Sequence, residues 1–333
     1  MKPLIVPPRR HGPERAADAG YLDWDRRALL TGGLLALLGL PRAAVASQRT
    51  TRAEPKELLT TVRAWGCQYR NVDVAAIAKS DLDLIVLDPR PQDAEHAFIG
   101  RSACDLLRVK PNGQRRLALA RLCVGETNVT RWYWPQAWRD APPAWAERVN
   151  PARPGVRHVE FWQPEWQSLV FSGNASILDL ILEAGYDGVV LDHVDAFMDW
   201  TERPSAQDDM VTLVARLAAK ARQARPDFLL MTQNAEGLMT RPDYLALIDA
   251  HNKESLLTGL EGYGRFNMPE DVVWSMSYLR QASNAGVTMF ATEYLSEPAV
   301  IDTVRRQLRA WNFVPFFASP ALDRLPSSEE KGG

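Results

Sequence analysis

The chain is poor in the residues that mark metal and disulfide proteins. It has 3 cysteines and 5 histidines in 333 residues. Cys67, Cys104 and Cys123 are too few and too scattered for a disulfide framework or a zinc knuckle. Cys67 and Cys123 fall in apolar runs, where a free thiol acts as a small hydrophobe. His11, His96, His158, His193 and His251 form no H-x-H or H-E-x-x-H pattern, so no metal is expected. There is no G-x-G-x-x-G or Walker sequence, and no cofactor is expected. Beyond residue 46 no stretch is apolar enough to span a bilayer.

What is present begins with an export pattern. Arg26-Arg27 precede the apolar run from Ala28 to Leu40, then come Pro41 and the small-residue site Ala44-Val45-Ala46. Charged region, modest apolar region and A-x-A site are the parts of a signal peptide, and the arginine pair resembles the twin-arginine type. A short membrane anchor is the alternative. The run is shorter than the ~20 residues a bilayer requires, and glycines interrupt it. Residues 1–46 are read as the signal, which places the mature protein in the periplasm or outside the cell, with no stable membrane insertion. Cleavage there removes 7 of 39 basic and 4 of 41 acidic residues, leaving 32 against 37 and a net charge near −5. Nucleic acid is not expected as a partner of so acidic a body. Residues 47–60 read as a flexible lead-in and 326–333 as a polar tail.

Between them, residues 61–325 alternate apolar runs with helix-like segments. Eight runs stand out, at residues 64–69, 84–88, 117–124, 188–192, 228–234, 248–251, 287–293 and 312–317. Several are apolar at nearly every position, as strands covered on both faces must be. Between them, Met210, Leu213, Val214, Leu217 and Ala221 repeat at helical spacing after Ser205 and before Pro226. Ile177 to Leu182 precede the helix-ending Gly185, and Val272, Val273, Met276 and Leu279 form another face. Eight strands with intervening helices predict an α/β fold, a single-domain (β/α)8 TIM barrel. A doubly wound open sheet is the alternative. One interval breaks the rhythm: some sixty residues after Val124 carry Trp132, Trp134, Trp138, Trp145, Trp162 and Trp166. Such a loop should overhang the mouth, with one or two rings free to stack on sugars and the rest packing the loop itself.

The most informative stretch is Tyr186-Asp187-Gly188-Val189-Val190-Leu191-Asp192-His193-Val194-Asp195. It reads as a buried strand delivering acids at its C-terminal tip, where a barrel keeps its chemistry. Tips of the other runs carry Asp88, Glu126, Asn234 with Glu236, Glu254 and Glu293. A lone acid after a strand is commonly a helix cap; the recurrence at strand after strand is not explained by capping. Paired carboxylates are what glycoside hydrolysis requires, and an acid-lined mouth would attract a cationic sugar.

The segments Trp65-Gly66-Cys67-Gln68-Tyr69, Val124-Gly125-Glu126, Phe161-Trp162-Gln163-Pro164-Glu165-Trp166, the Gly185–Asp192 string, Gln233-Asn234-Ala235-Glu236 and Lys253-Glu254-Ser255 resemble glycoside hydrolase family 114, the endo-α-1,4-polygalactosaminidase group. The resemblance implies a TIM barrel and a secreted glycosidase acting on an α-linked, amino-sugar-containing polysaccharide. It implies Asp192 as nucleophile or its equivalent and Glu254 as acid/base. Tyr69, Asp88, Glu126, Trp162, Asp195, Asn234, Glu236 and Glu293 are the substrate contacts expected beside them. The family commonly has an Asn or Thr-like residue after that Asp; this chain has His193, a departure expected to bear on subsites or pH response.

Two other readings remain. One is a carbohydrate-binding barrel without turnover, which retention of Asp192 and Glu254 disfavours. The other is a metal-dependent deacetylase or phosphodiesterase using Asp192, His193 and Asp195. Alternation along a strand would send Asp192 and His193 to opposite faces, which argues against a shared ion.

Overall fold

The computed structural model describes residues 54–91 and 98–325. The export signal, the start of the lead-in and the polar tail lie outside the described residues. Eight parallel strands form one sheet in chain order: β1 Trp65–Gln68, β2 Leu84–Leu87, β3 Leu117–Cys123, β4 Gly188–Asp192, β5 Leu229–Gln233, β6 Ala250–Glu254, β7 Thr288–Glu293 and β8 Val314–Phe317. Each sits within one of the eight apolar runs, except that β6 extends three residues past its run to Glu254. Helices connect them, so the fold is the expected (β/α)8 TIM barrel.

Alternation along the strands sorts their side chains into two cores. Trp65, Val86, Leu119, Val190, Met231 and Phe290 fill the barrel, with the Trp65 ring 5.1 Å from Phe290 and 5.5 Å from Phe316. Ile85, Ala120, Leu122, Val189, Leu191 and Leu230 face outward against the helices. That double burial explains the continuous apolar runs. The helix Ile177–Ala184 starts at a Ser176/Asp179 capping box and stops at Gly185, with φ +87°. The helix Ala206–Ala224 follows Ser205 as expected, burying Met210, Leu213, Val214, Leu217 and Ala221. In the helix Pro269–Asn284, Met276 and Leu279 are buried but Val273 is exposed. Gly188 begins β4 where no larger residue fits: a Cβ there would lie 2.3 Å from the Leu229 carbonyl oxygen.

The ring is fastened between β8 and β1 by side chains and a following segment. The Trp65 indole N–H donates to the Val314 carbonyl. The Tyr69 and Arg70 amides both donate to the Leu322 carbonyl, and the Gln68 amide donates to that of Asp323. The lead-in expectation is corrected at its end: Pro55–Thr61 is a helix, because Leu59 docks in the same core cluster as Trp65.

The tryptophan-rich segment after β3 contains a two-stranded ribbon, Glu126–Asn128 with Val156–His158. Trp134, Trp145 and Trp166 are buried, and Trp134, Trp138 and Trp145 meet edge to face. The Trp166 indole N–H donates to the Val124 carbonyl, tying this small core to the tip of β3. Most of the rings therefore serve the loop's own packing.

Candidate active site

Residues of inward parity at the C-terminal ends of the strands converge in one polar layer. Gln233 at the tip of β5 is its centre. Its Nε2 donates to Asp192 Oδ1 at 3.3 Å and to Glu254 Oε2 at 2.8 Å. Those two carboxylate oxygens, bound to one nitrogen, are thus no more than about 6 Å apart. The Gln233 carbonyl accepts from Asn252 at 3.3 Å, and Asn252 accepts from Thr292 at 3.1 Å, which fixes the amide orientation.

The two acids have different surroundings. Asp192, buried, accepts from Arg121 Nε at 2.7 Å and from a second Arg121 nitrogen, and from the His193 backbone N–H at 3.0 Å. The charge of Asp192 holds the Arg121 guanidinium in its charged form against burial. Glu254 is half-buried and accepts from Gln233, from Asn234 Nδ2 at 3.1 Å and from the Tyr294 hydroxyl. Asn234, in left-handed backbone at φ +56°, also accepts from the Glu254 amide at 3.1 Å, clamping the strand tip from both sides.

Arg121 joins the other half of the mouth to this centre. Its guanidinium lies 4.8 Å over the Tyr69 ring and 3.6 Å from Asp88. Asp88 also takes both nitrogens of Arg131, at 2.7 and 3.2 Å. Glu126 takes His193 Nε2 at 2.8 Å, Asn150 at 3.3 Å and the Arg153 guanidinium. Burial works to raise the Glu126 carboxyl, but the charge and hydrogen bond of His193, with Arg153 and His158, bring it down to about 2. The acid-lined mouth expected from the sequence is therefore largely neutralised by arginine.

Three further expectations are revised. Glu236 is buried and paired with Lys253 at 3.0 Å, where it also accepts from Ser275; the pair lies outside the polar layer, since Lys253 has outward parity. Glu293 is fully enclosed, accepting from the Leu257 and Thr258 amides at 2.8 and 3.1 Å and from the Thr258 hydroxyl at 2.7 Å. It anchors the loop after β6 and is out of reach of a substrate. Trp162 is half-buried, with one face covered by Arg203 at 4.3 Å and with Phe161 and Trp200 in T-shaped contact with its ring. Asp195 is half-buried in the turn Val194–Asp199 beyond β4.

Burial raises Glu293 from 4.5 to about 7, against the donors of Thr258 and Leu257. A folded-state pKa above the unfolded one gives stability that is complete below about 4.5 and is lost as pH rises through about 7. The difference in thermal stability between wild type and Glu293→Gln should change with pH across that window, the extra slope belonging to wild type. A parallel slope in the variant would remove Glu293 as its source.

The alternation that would have separated Asp192 and His193 ends one residue too early to apply. His193 adopts φ +59°, and its Nδ1 lies 3.3 Å from Asp192 Oδ1 and 3.3 Å from Cys123 Sγ. Those three groups, and separately Glu126, His158 and Asp199, are close enough to share a cation. Arg121 on Asp192 and Arg153 on Glu126 already supply positive charge at both places, which opposes adding a cation. Gln233, Arg121, Asn252, Tyr294, Arg131 and Arg153 were not anticipated. Two left a trace: Arg121 is a charged residue at the inward parity of an otherwise apolar strand, and Gln233 opens the family-like segment Gln233-Asn234-Ala235-Glu236.

A parallel eight-stranded barrel with paired carboxylates at its C-terminal mouth is the architecture of the barrel glycoside hydrolases. The chain belongs to one such family: the model of glycoside-hydrolase family GH114 matches residues 45–331. An uncharacterized protein of Deinococcus radiodurans is 30% identical over 281 residues, 83% of this chain and 86% of that one. An uncharacterized protein of Methanocaldococcus jannaschii is 31% identical over 180 residues, 53% of this chain and 50% of that one. The fold is similar to the glycoside hydrolase domain of PelA from Pseudomonas aeruginosa, with TM-score 0.62 and 22% identity over 80% of this chain and 98% of that domain. It is also similar to Aspergillus fumigatus Ega3, solved in complex with galactosamine, with TM-score 0.57 and 15% identity over 79% of this chain and 94% of that one. Among the described residues no helix is long and apolar enough to cross a membrane.

Proposed function

We propose that the protein is an exported glycosidase that cleaves an α-linked, amino-sugar-containing polysaccharide, with Asp192 as nucleophile and Glu254 as acid/base. The observation that carries this reading is the Gln233 amide shared by the two carboxylates. It holds their facing oxygens within about 6 Å of each other, which supports the short carboxyl separation, ~5–5.5 Å, of a retaining pair over the wide part of the ~6.5–9.5 Å inverting range. Retention of the anomeric configuration is the matching outcome.

The unequal surroundings divide the roles. Asp192 sits against two cationic side chains, Arg121 and His193, which favour the ionised form that attacks the anomeric carbon. Attack forms a glycosyl–Asp192 ester while Glu254 gives its proton to the leaving oxygen; Glu254 then takes a proton from the water that hydrolyses the ester. Glu254 faces neutral donors and is more open, as a group that cycles its proton should be. The amino-sugar assignment draws on family membership and on the galactosamine in the Ega3 structure. Export rests on the pattern of residues 26–46.

Mature protein incubated with partially deacetylated polygalactosamine should release shorter oligosaccharides, unchanged by EDTA, whose new reducing ends appear first as the α-anomer by proton NMR. First appearance of the β-anomer would exclude the nucleophile role. Loss of activity with EDTA would favour the metal-dependent alternative.

A further inference from the structure

We infer that His193 is a positioning residue that clamps the Asp192 carboxylate through a charged imidazolium, anchored from behind by Glu126. The inference rests on the proposed role of Asp192 and adds a residue to it. Three observations meet at this ring. His193 stands in left-handed backbone directly after β4, so main chain and side chain turn back on the same carboxylate: its N–H donates to Asp192 Oδ1 at 3.0 Å, and its Nδ1 lies 3.3 Å from that oxygen. The opposite ring nitrogen lies 2.8 Å from Glu126 Oε2. Only a doubly protonated imidazole donates at both nitrogens at once.

The surroundings favour that state. The groups facing the ring are Asp192, Cys123 and Glu126; Arg121 stands beyond Asp192, and Arg153 and His158 stand beyond Glu126, with Asp199 on His158. Burial works against the ring's charge, but Asp192, Cys123 and Glu126 push its pKa well above the ordinary histidine value of 6.5. Gly125 makes the turn possible, since a Cβ there would lie 2.3 Å from the His193 carbonyl oxygen and 2.2 Å from the Ala196 Cβ. Glu126, read from sequence as a substrate contact, is on this view the support of the clamp.

The chemistry follows from the protons. While the ring is charged, Asp192 Oδ1 accepts from His193 twice and its anion is held in one orientation. When pH rises through the raised pKa, one nitrogen becomes an acceptor and one of the two carboxylates loses its donor. The clamp therefore acts below that pKa and fails above it, which places an alkaline limb on kcat/KM.

His193→Asn is the informative variant, because asparagine tolerates left-handed backbone and removes only the ring and its charge. It should lower kcat/KM on the order of 10- to 100-fold near neutral pH, the cost of a misplaced nucleophile, and it should lose the alkaline limb. Glu126→Gln should move that limb to lower pH. Independently of turnover, the His193 ring followed by NMR, with its signals assigned by their absence in His193→Asn, should titrate at lower pH in Glu126→Gln and in Asp192→Asn. If wild type and His193→Asn share one pH profile while Asp192→Asn is inactive, the clamp is wrong and the glycosidase reading stands. If Asp192→Asn keeps full activity, the glycosidase reading fails. If the ring's titration is unmoved by both carboxylate variants, the clamp fails whatever the enzyme does.

Discussion

Asp192→Asn is expected to reduce kcat/KM by about four orders of magnitude or more, in line with the loss of a nucleophile from a constellation that acts as a unit. The reasoning is geometric. An amide in that place cannot form the glycosyl ester, and its nitrogen would face either the Arg121 nitrogens or the Gln233 Nε2 and His193 N–H, all of them donors. Glu254→Gln should lose about 10²- to 10⁴-fold, the usual worth of general acid–base catalysis. Its deficit should shrink with aryl glycosides, whose leaving oxygens need no proton. That selective recovery separates the two carboxylates: Asp192→Asn should be equally poor on both substrates. Far-UV circular dichroism and a melt on each variant show that the fold persists. Equal rescue of both variants by the activated leaving group would overturn the division of roles, and full activity in either would remove that residue from the chemistry.

Arg121→Met should destabilise the protein by up to about 3–5 kcal/mol, because it takes the guanidinium from two buried carboxylates and leaves Asp192 with His193 and Asp88 with Arg131 as their remaining cations. Asp192 loses both guanidinium bonds, and Asp88 keeps Arg131 as its cation and the Arg90 backbone N–H. The Tyr69 ring also loses the cation above it. Arg121→Lys should recover only part of the loss, since a single ammonium cannot span Asp88, Asp192 and the ring as a planar fork does. Denaturant titration at constant m-value gives the number. Adding Asp192→Asn to Arg121→Met should recover part of the stability, because the buried charge that lost its guanidinium goes with it; a double variant as unstable as the sum of the singles would show that Arg121 and Asp192 are not coupled.

The strands were legible because burial on both faces writes continuous apolar runs, and β1 to β8 each fall on one of them. Asp192 and Glu254 were legible as acids after such runs, and the structure brings them to one amide. The supporting residues were hidden for a physical reason. Gln233 and Asn252 interrupt their strands as polar residues at inward parity, but an amide carries no charge that points to a carboxylate partner. Tyr294 lies one residue beyond β7 and reads as one more apolar position. What stayed hidden has one origin: sequence places an acid at a strand tip but not the partner it finds there. Glu293 found two backbone amides, Glu236 found Lys253, and Asp88 and Glu126 found arginines. His193 escaped strand alternation because one residue of left-handed backbone resets it.

The closure between β8 and β1 has a consequence for the whole molecule. Seven of the eight strand boundaries are backbone ladders, cooperative along their length. The eighth depends on the Trp65 indole, the Gln68 amide and the backbone of Leu322 and Asp323. The barrel is built as a strip held shut by a clasp rather than by an eighth ladder. Opening there would expose the edges of β1 and β8 while leaving β4, β5 and β6 with their carboxylates still joined. The polar layer thus lies on the side of the ring opposite the clasp, so an opening at the seam need not separate Asp192 from Glu254.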